Sequence, residues 1–219
     1  LFIEPGDHPA KRDAEAYPKA QVAIVGCPKL DEWHIRPVKP RGEPPVVAVS
    51  FHWDCKVVPE TRSALDHYER VLGDLSRMDG VKLLGHGHPA IWGRLKPLWD
   101  FYGVETVPHF DEVMERADCY VCDQMSTLYE FASLDRPVVV LNCPYYRRNV
   151  EHGLRWWECA DVGIQVNEPE ELIPAIRKAL EDKPAQKRKR RRAVDKVYKY
   201  TDGRATERAV QAIVELMQG

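Results

Sequence analysis

Between Val81 and Cys143 the sequence alternates four short apolar runs with polar turns and segments of helical length. The runs are Val81–Leu84, Val104–Val107, Cys119–Cys122 and Pro137–Leu141. They are short, carry β-branched residues and are bounded by turn or polar residues, which is the pattern of buried strands. Strands joined through helices make right-handed crossovers, so neighbouring strands run parallel and helices cover both faces of the sheet. The expected fold class is therefore α/β. Polar residues gather just after the runs: His86 and His88, Pro108-His109, Asp123 to Thr127, and Asn142. Ligands of open parallel sheets bind outside the carboxyl ends of the strands. Any chemistry is expected on this edge.

The 219 residues, 44% of them hydrophobic, suffice for one sizeable core plus a fragment of a second. A net charge of −2 gives no global field to recruit nucleic acid or an anionic membrane. No apolar run approaches the ~18 residues of a membrane span, and no signal-peptide pattern is present. The six cysteines lie mostly in apolar or strand-like surroundings, which suits a reducing, cytoplasmic setting. The first residues, Leu1 to Glu4, read as a strand without an initiator Met, as in a piece cut from a longer protein.

After that strand, a short helix is expected within Ala10–Ala20, a strand over Val22–Gly26 and a loop over Cys27–Asp31. Arg36–Pro45 holds four prolines and few apolar side chains, so it reads as a linker. The expected division is 1–35, the end of a first domain; 36–45, the linker; 46–183, the main domain; and 184–219, a helical tail. Within the main domain, Pro45–Phe51 is a further strand and Val162–Val166 the last. Helices are expected over Pro59–Met78, Ala90–Tyr102 (interrupted or delayed by Pro97), Phe110–Arg116, Ser126–Leu134 and Glu168–Glu181. Ser126 or Thr127 is the expected cap of the fourth.

His86 and His88 lie two apart, so an extended segment puts both imidazoles on one face. There they could donate to a diphosphate or move a proton near neutral pH. Gly85 and Gly87 would let backbone approach a ligand. The plainer reading is a polar loop with solvated histidines. Asp123 to Thr127 joins a strand to a helix, where free N–H groups and the hydroxyls of Ser126 and Thr127 suit phosphate; an ordinary cap is the alternative. Glu130, one turn later, could accept from a ribose diol or be a surface carboxylate. Cys119 and Cys122 resemble half of a zinc site, but residues three apart on a strand face opposite ways. No metal ligand set and no cofactor are expected. Lys187–Arg192 is a run of six cations, a polyanion contact or a solvated helix face. Trp156-Trp157 beside Arg147, Arg148 and Arg155 could stack a base or sugar, or pack between domains. There is no Gly-x-Ser-x-Gly elbow and no Gly-x-Gly-x-x-Gly after a strand.

Several segments together resemble a known family: His88-Pro89; Ala117-Asp118 with Asp123; Ser126-Thr127-Leu128-x-Glu130-Phe131; and Leu134-x-Arg136-Pro137-Val138-Val139. In this order they are similar to the carboxy-terminal, Rossmann-like domain of GT-B fold transferases. The nearest likeness is to the CDP-glycerol glycerophosphotransferases (teichoic-acid polymerases), with the UDP-N-acetylglucosamine 2-epimerases similar too. Asp202-Gly203-Arg204-Ala205-Thr206-Glu207-Arg208 resembles the closing pattern of the phosphotransferases. Gly26-Cys27-Pro28-Lys29-Leu30-Asp31 resembles the segment that ends their first domain. The resemblance implies a nucleotide donor, CDP-glycerol or a UDP-sugar, and a hydroxyl acceptor. His88 would contact the donor diphosphate or assist the leaving group as an imidazolium, Ser126 and Thr127 would bind phosphate, and Asp123 would position their loop. Glu130 stands where the phosphotransferases more often have Asp. Their first-domain His-Gly loop has no match, since His8 sits in Gly-Asp-His-Pro.

The function expected is thus the donor-binding part of a glycosyl- or glycerophosphotransferase, cytoplasmic and with peripheral membrane contact as an option. A non-catalytic nucleotide-sugar or polyphosphate-binding module and an epimerase-like enzyme are the alternatives.

Overall fold

The computed structural model describes residues 1–54, 62–123, 126–144 and 162–218. Two compact units form, 1–38 with 191–219, and 39–190. Residues 191–219, read from the sequence as part of a separate tail, group with the first unit.

In the first unit, β1 (Phe2–Glu4) pairs in parallel with β2 (Val22–Ile24), and α1 (Asp7–Ala16) connects them. The expected loop after Gly26 is instead a 3-10 turn, Pro28–Leu30, leading into α2 (Asp31–Ile35). Asp31 explains this segment. Its carboxylate accepts from the backbone N–H groups of Ala205 at 2.9 Å and Thr206 at 2.7 Å, and so caps α10 (Ala205–Gln218). Gly203 has φ +72°, and a Cβ there would lie 2.3 Å from the Ile35 side chain. Arg208 pairs with Asp202 and stacks 3.9 Å over the Tyr200 ring. The closing pattern from Asp202 to Arg208 therefore locks α10 in place.

The second unit is built on one parallel sheet. Its strands are β3 (Val46–Phe51), β4 (Lys82–Gly87), β5 (Glu105–Thr106), β6 (Cys119–Cys122), β7 (Val138–Leu141) and β8 (Ile164–Val166). Their order is β5-β4-β3-β6-β7-β8, so the direction of winding reverses between β3 and β6. The helix expected over Pro59–Met78 is broken into α3 (Leu65–Tyr68), a 3-10 turn and α4 (Leu72–Ser76), and Pro59 lies outside the described residues. A 3-10 turn at Pro89–Ile91 opens α5 (Trp92–Phe101), which runs through Pro97. Then follow α6 (Phe110–Arg116), α7 (Thr127–Ala132), α8 (Leu172–Glu181) and the first half of α9 (Pro184–Val197), whose residues from Arg191 on belong to the first unit.

One sheet face carries Val47, Val49, Phe51, Cys119, Val121, Val139 and Leu141 in the main core, with Tyr68, Leu72, Leu95, Trp99 and Ile176 from the helices. On the other face, Tyr120 stacks against Phe110 of α6 and Phe131 of α7, and His86 lies beside Phe110. Two residues of the resembling motifs hold this scaffold. Asp118 accepts from Lys39 and from the Val46 N–H, and Arg136 donates to the Ala117 carbonyl, closing the end of α6. Cys119 is fully buried, which pushes its thiol up to about 12. Cys122, the next but two along β6, meets the Tyr120 hydroxyl on the opposite face. Elemental analysis of the purified protein should accordingly find no stoichiometric zinc. One zinc per chain would overturn the assignment of both as core thiols.

Candidate functional site

The reversal of winding between β3 and β6 leaves a crevice at the carboxyl edge, the position where open α/β sheets take ligands. The chain leaves β3 at His52, β4 at His88 and β6 at Asp123. Asp123 is fully buried, and its two oxygens accept from the His52 N–H and the Ala64 N–H, each at 2.9 Å. It thereby fixes the exit from β3 and the approach to α3; residues 124 and 125 of the loop it was expected to position lie outside the described residues.

That fixing brings three rings together. The His52 and His88 rings lie 5.4 Å apart and the Trp53 and His88 rings 6.1 Å apart. His52 and Trp53 carried no assignment in the sequence reading. Their signal was positional: they are the first polar and aromatic residues after the strand that starts the reversal. Trp53 remains 37% exposed, a large aromatic face beside the histidines. Asp54 is held by Arg62 at 2.9 Å.

His88 has ψ 139°, extended as a residue before proline should be. Its N–H donates to the Phe51 carbonyl at 3.0 Å, and its Nδ1 accepts from the Ala90 N–H at 3.1 Å. A proton on Nδ1 would face another donor, so the favoured form is the neutral ring protonated at Nε2. The sequence reading expected an imidazolium. With Nδ1 accepting from Ala90, the proton of a neutral His88 ring sits on Nε2.

His86 differs from His88. The sequence reading put it in a loop, but β4 continues to Gly87 and pairs His86 with Ser50. The side chain is 4% exposed and its Nδ1 meets Ser50 Oγ at 2.9 Å. Burial, with help from nearby His88 and His109, lowers its pKa to about 4. The flanking glycines have a packing cause. A Cβ at Gly85 would lie 2.7 Å from the Trp99 ring, and one at Gly87 would lie 2.2 Å from a Leu95 methyl. They admit α5, not a ligand. Because the folded pKa is depressed, the folded protein binds fewer protons than the unfolded chain between about pH 6.5 and 4. Stability from this group is full above that window and falls as pH drops through it. Urea unfolding at pH 7 and pH 4 should show a loss from this group on the order of 2 kcal/mol. The difference between the wild type and His86→Phe isolates it.

Ser126 stands at the N-cap of α7 but its side chain makes no capping bond, and it is exposed. Thr127 Oγ1 instead meets the Tyr120 hydroxyl at 3.0 Å. The expected cap by either hydroxyl is thus not made. With six residues α7 has little dipole to offer, so donors here are individual N–H and O–H groups. Glu130 is 7% exposed, not a surface carboxylate. Asn142 is committed to Gln165 and Asn167, tying β7 to β8.

The run Lys187–Arg192 is not a uniform cationic face. Arg190 is 2% exposed and paired with Asp135 and Asp182, and Lys187 pairs with Asp182 at 3.3 Å. Trp156, Trp157, Arg147, Arg148 and Arg155 lie outside the described residues. No described helix is long and apolar enough to cross a membrane.

A family described as CDP-Glycerol:Poly(glycerophosphate) glycerophosphotransferase matches residues 69–215. No curated protein matches. Among solved structures, a variant of the wall teichoic acid polymerase TagF soaked with CDPG for 15 minutes superposes with TM-score 0.72 at 15% identity. The match covers 99% of this chain and 57% of that one. The S. aureus MnaA–UDP co-structure gives TM-score 0.61 at 15% identity, covering 100% and 60% of the two chains. A UDP-N-acetylglucosamine 2-epimerase gives 0.58 at 15%, covering 100% and 56%. The chain thus spans somewhat over half the length of these structures, and it shares their GT-B-like α/β fold.

Proposed function

The chain belongs to the CDP-glycerol:poly(glycerophosphate) glycerophosphotransferase family, and from that premise we propose that its sheet unit is the donor-binding part of a GT-B type transferase. The donor is a nucleotide-activated group, CDP-glycerol before a UDP-sugar, and the acceptor is a hydroxyl. The observation that carries this reading is the gathering of His52, Trp53 and His88 at the reversal of the sheet, braced by buried Asp123. TagF was soaked with CDPG and MnaA is seen with UDP, which supports a nucleotide as the donor.

In the proposed reaction with CDP-glycerol the acceptor hydroxyl oxygen attacks the phosphorus of the transferred glycerophosphate, the bond from that phosphorus to the bridging oxygen breaks, CMP leaves with that oxygen, and the hydroxyl proton is released to solvent. His88 Nε2–H donates to the departing oxygen, where charge grows in the transition state. Ser126 and Thr127 hold phosphate oxygens, and Glu130 accepts from a sugar hydroxyl. His86, neutral and buried, supports the edge without direct charge. Trp53 offers its ring for stacking of base or sugar.

Isothermal titration with CDP-glycerol, UDP-sugars and the free nucleoside diphosphates tests the reading. At least one should bind. A charge-assisted hydrogen bond contributes about 1.5–3 kcal/mol, so Ser126→Ala with Thr127→Ala should weaken that ligand about tenfold or more. Unchanged affinity would remove this loop from the site.

A further inference from the structure

A buried phenol reaches the first residue of α7 from the sheet beneath it. Tyr120 of β6 is fully buried, and its hydroxyl lies 3.0 Å from Oγ1 of the half-buried Thr127. The Tyr120 ring is held by aromatic neighbours. Phe110 of α6 stands 5.5 Å away at 56°, and Phe131 of α7 stands 5.3 Å away at 39°. Phe131 is backed in turn by Arg136, whose guanidinium sits 4.7 Å over its ring and donates to the carbonyls of Ala117 and Met114. A ring packed in this way keeps one rotamer, so its phenolic oxygen is a fixed point.

The fixed oxygen selects a rotamer of Thr127. A threonine at a helix start can turn its hydroxyl to nearby backbone or away from it. Here Ser126 makes no capping bond, and Thr127 Oγ1 turns to the Tyr120 hydroxyl. Threonine is stiff at χ1, so one bond to a fixed partner sets the direction of the whole side chain. Full burial keeps Tyr120 from touching a ligand itself, and any part it plays in binding passes through Thr127.

We propose that Tyr120 is a positioning residue for phosphate recognition, its hydroxyl holding the Thr127 hydroxyl in the rotamer that donates to a phosphate oxygen of the bound nucleotide. This rests on the donor-binding reading of the site. The proton count gives the direction in the bound state. An ionised phosphate oxygen only accepts, so Thr127 gives its single proton to it. Toward Tyr120 the Thr127 oxygen is then the acceptor and the phenol the donor, the direction that the greater acidity of a phenol also favours. Hydrogen bonds in series polarise one another, so donation from Tyr120 strengthens the donor that Thr127 presents. Without the phenolic oxygen the Thr127 hydroxyl has several staggered positions, and the ligand must order it.

The test is a double-mutant cycle with CDP as the probe, read by isothermal titration. Tyr120→Phe should weaken CDP about fivefold, the loss of one neutral hydrogen bond. Thr127→Val should weaken it about tenfold, the loss of a charge-assisted one. Adding Tyr120→Phe to Thr127→Val should then change affinity by less than about twofold. A tyrosine that serves only the core would lower affinity by the same factor with or without the Thr127 hydroxyl. That result, or unchanged affinity for Tyr120→Phe, overturns the proposal. Thr127→Ser, which keeps the hydroxyl, should recover most of what Thr127→Val loses. The rotamer itself supplies a second measure. Three-bond couplings from the Thr127 methyl carbon to its backbone nitrogen and carbonyl carbon report χ1 in the free protein. They should show one rotamer in the wild type and averaging in Tyr120→Phe, and the same couplings in both would also overturn the assignment. If the wild type does not bind CDP, the donor-binding reading fails and takes the positioning role with it. Binding of CDP that is indifferent to Tyr120→Phe removes the Tyr120 proposal alone.

Discussion

If the proposed transfer reaction holds, His88→Ala is expected to lower kcat by about 10²-fold or more while changing donor affinity little, the range typical of acid–base groups. The cause is geometric. Ala90 donates to Nδ1 and so directs the remaining proton of the ring to Nε2. A donor placed at the leaving oxygen gains strength as charge builds there, so its loss appears in turnover before binding. His88 is a half-buried ring outside the main core, with His52, Trp53 and Ala90 among its neighbours, so the same variant should melt close to the wild type. Steady-state kinetics with the responding donor, beside thermal unfolding, separates the two effects. Near-normal turnover would end the catalytic assignment and leave the fold untouched.

Arg190→Ala should be the most damaging single change to stability, at about 3 kcal/mol or more. The guanidinium donates to Asp135 Oδ1 at 2.7 Å, to the Asp135 carbonyl at 2.8 Å and to Asp182 Oδ1 at 2.9 Å. Both aspartates have positive φ, 55° and 46°, and Asp182 terminates α8. One cation thus holds two left-handed chain reversals, and its removal takes the guanidinium from Asp135 and leaves Asp182 with Lys187. Arg190→Lys should recover only part of the loss, since an ammonium cannot match the planar fork. Arg188→Ala, two residues away and exposed, should fall within about 0.5 kcal/mol of the wild type. Urea unfolding of the three variants decides the matter. Equal midpoints for Arg188→Ala and Arg190→Ala would show that the ion pairs contribute nothing net.

Much of the fold was legible because the strand signal is local. Short β-branched runs such as Val138–Leu141 gave the class, the alternation gave parallel pairing, and the proline before His88 gave its extended backbone. The polar cluster at strand ends also named the edge where His88, Asp123 and Thr127 stand. Element ends were less legible. β4 runs on through His86 because Ser50 on β3 pairs with it, and no pattern within Gly85–His88 announces a partner so distant in sequence.

The sequence by itself determined which segments become strands, the edge where the polar residues gather and the family to which the chain belongs. Only the tertiary structure decided the roles within that edge. It separated His86 from His88, burying one against Ser50 and leaving the other beside Trp53. It gave Asp123 to the backbone of His52 and Ala64, Gly85 and Gly87 to the packing of α5, and Arg190 to two aspartates. The physical reason is common to all of these. Burial, hydrogen-bond partner and tautomer are properties of neighbours in space, and those neighbours lie tens of residues away along the chain, where no local period or spacing records them.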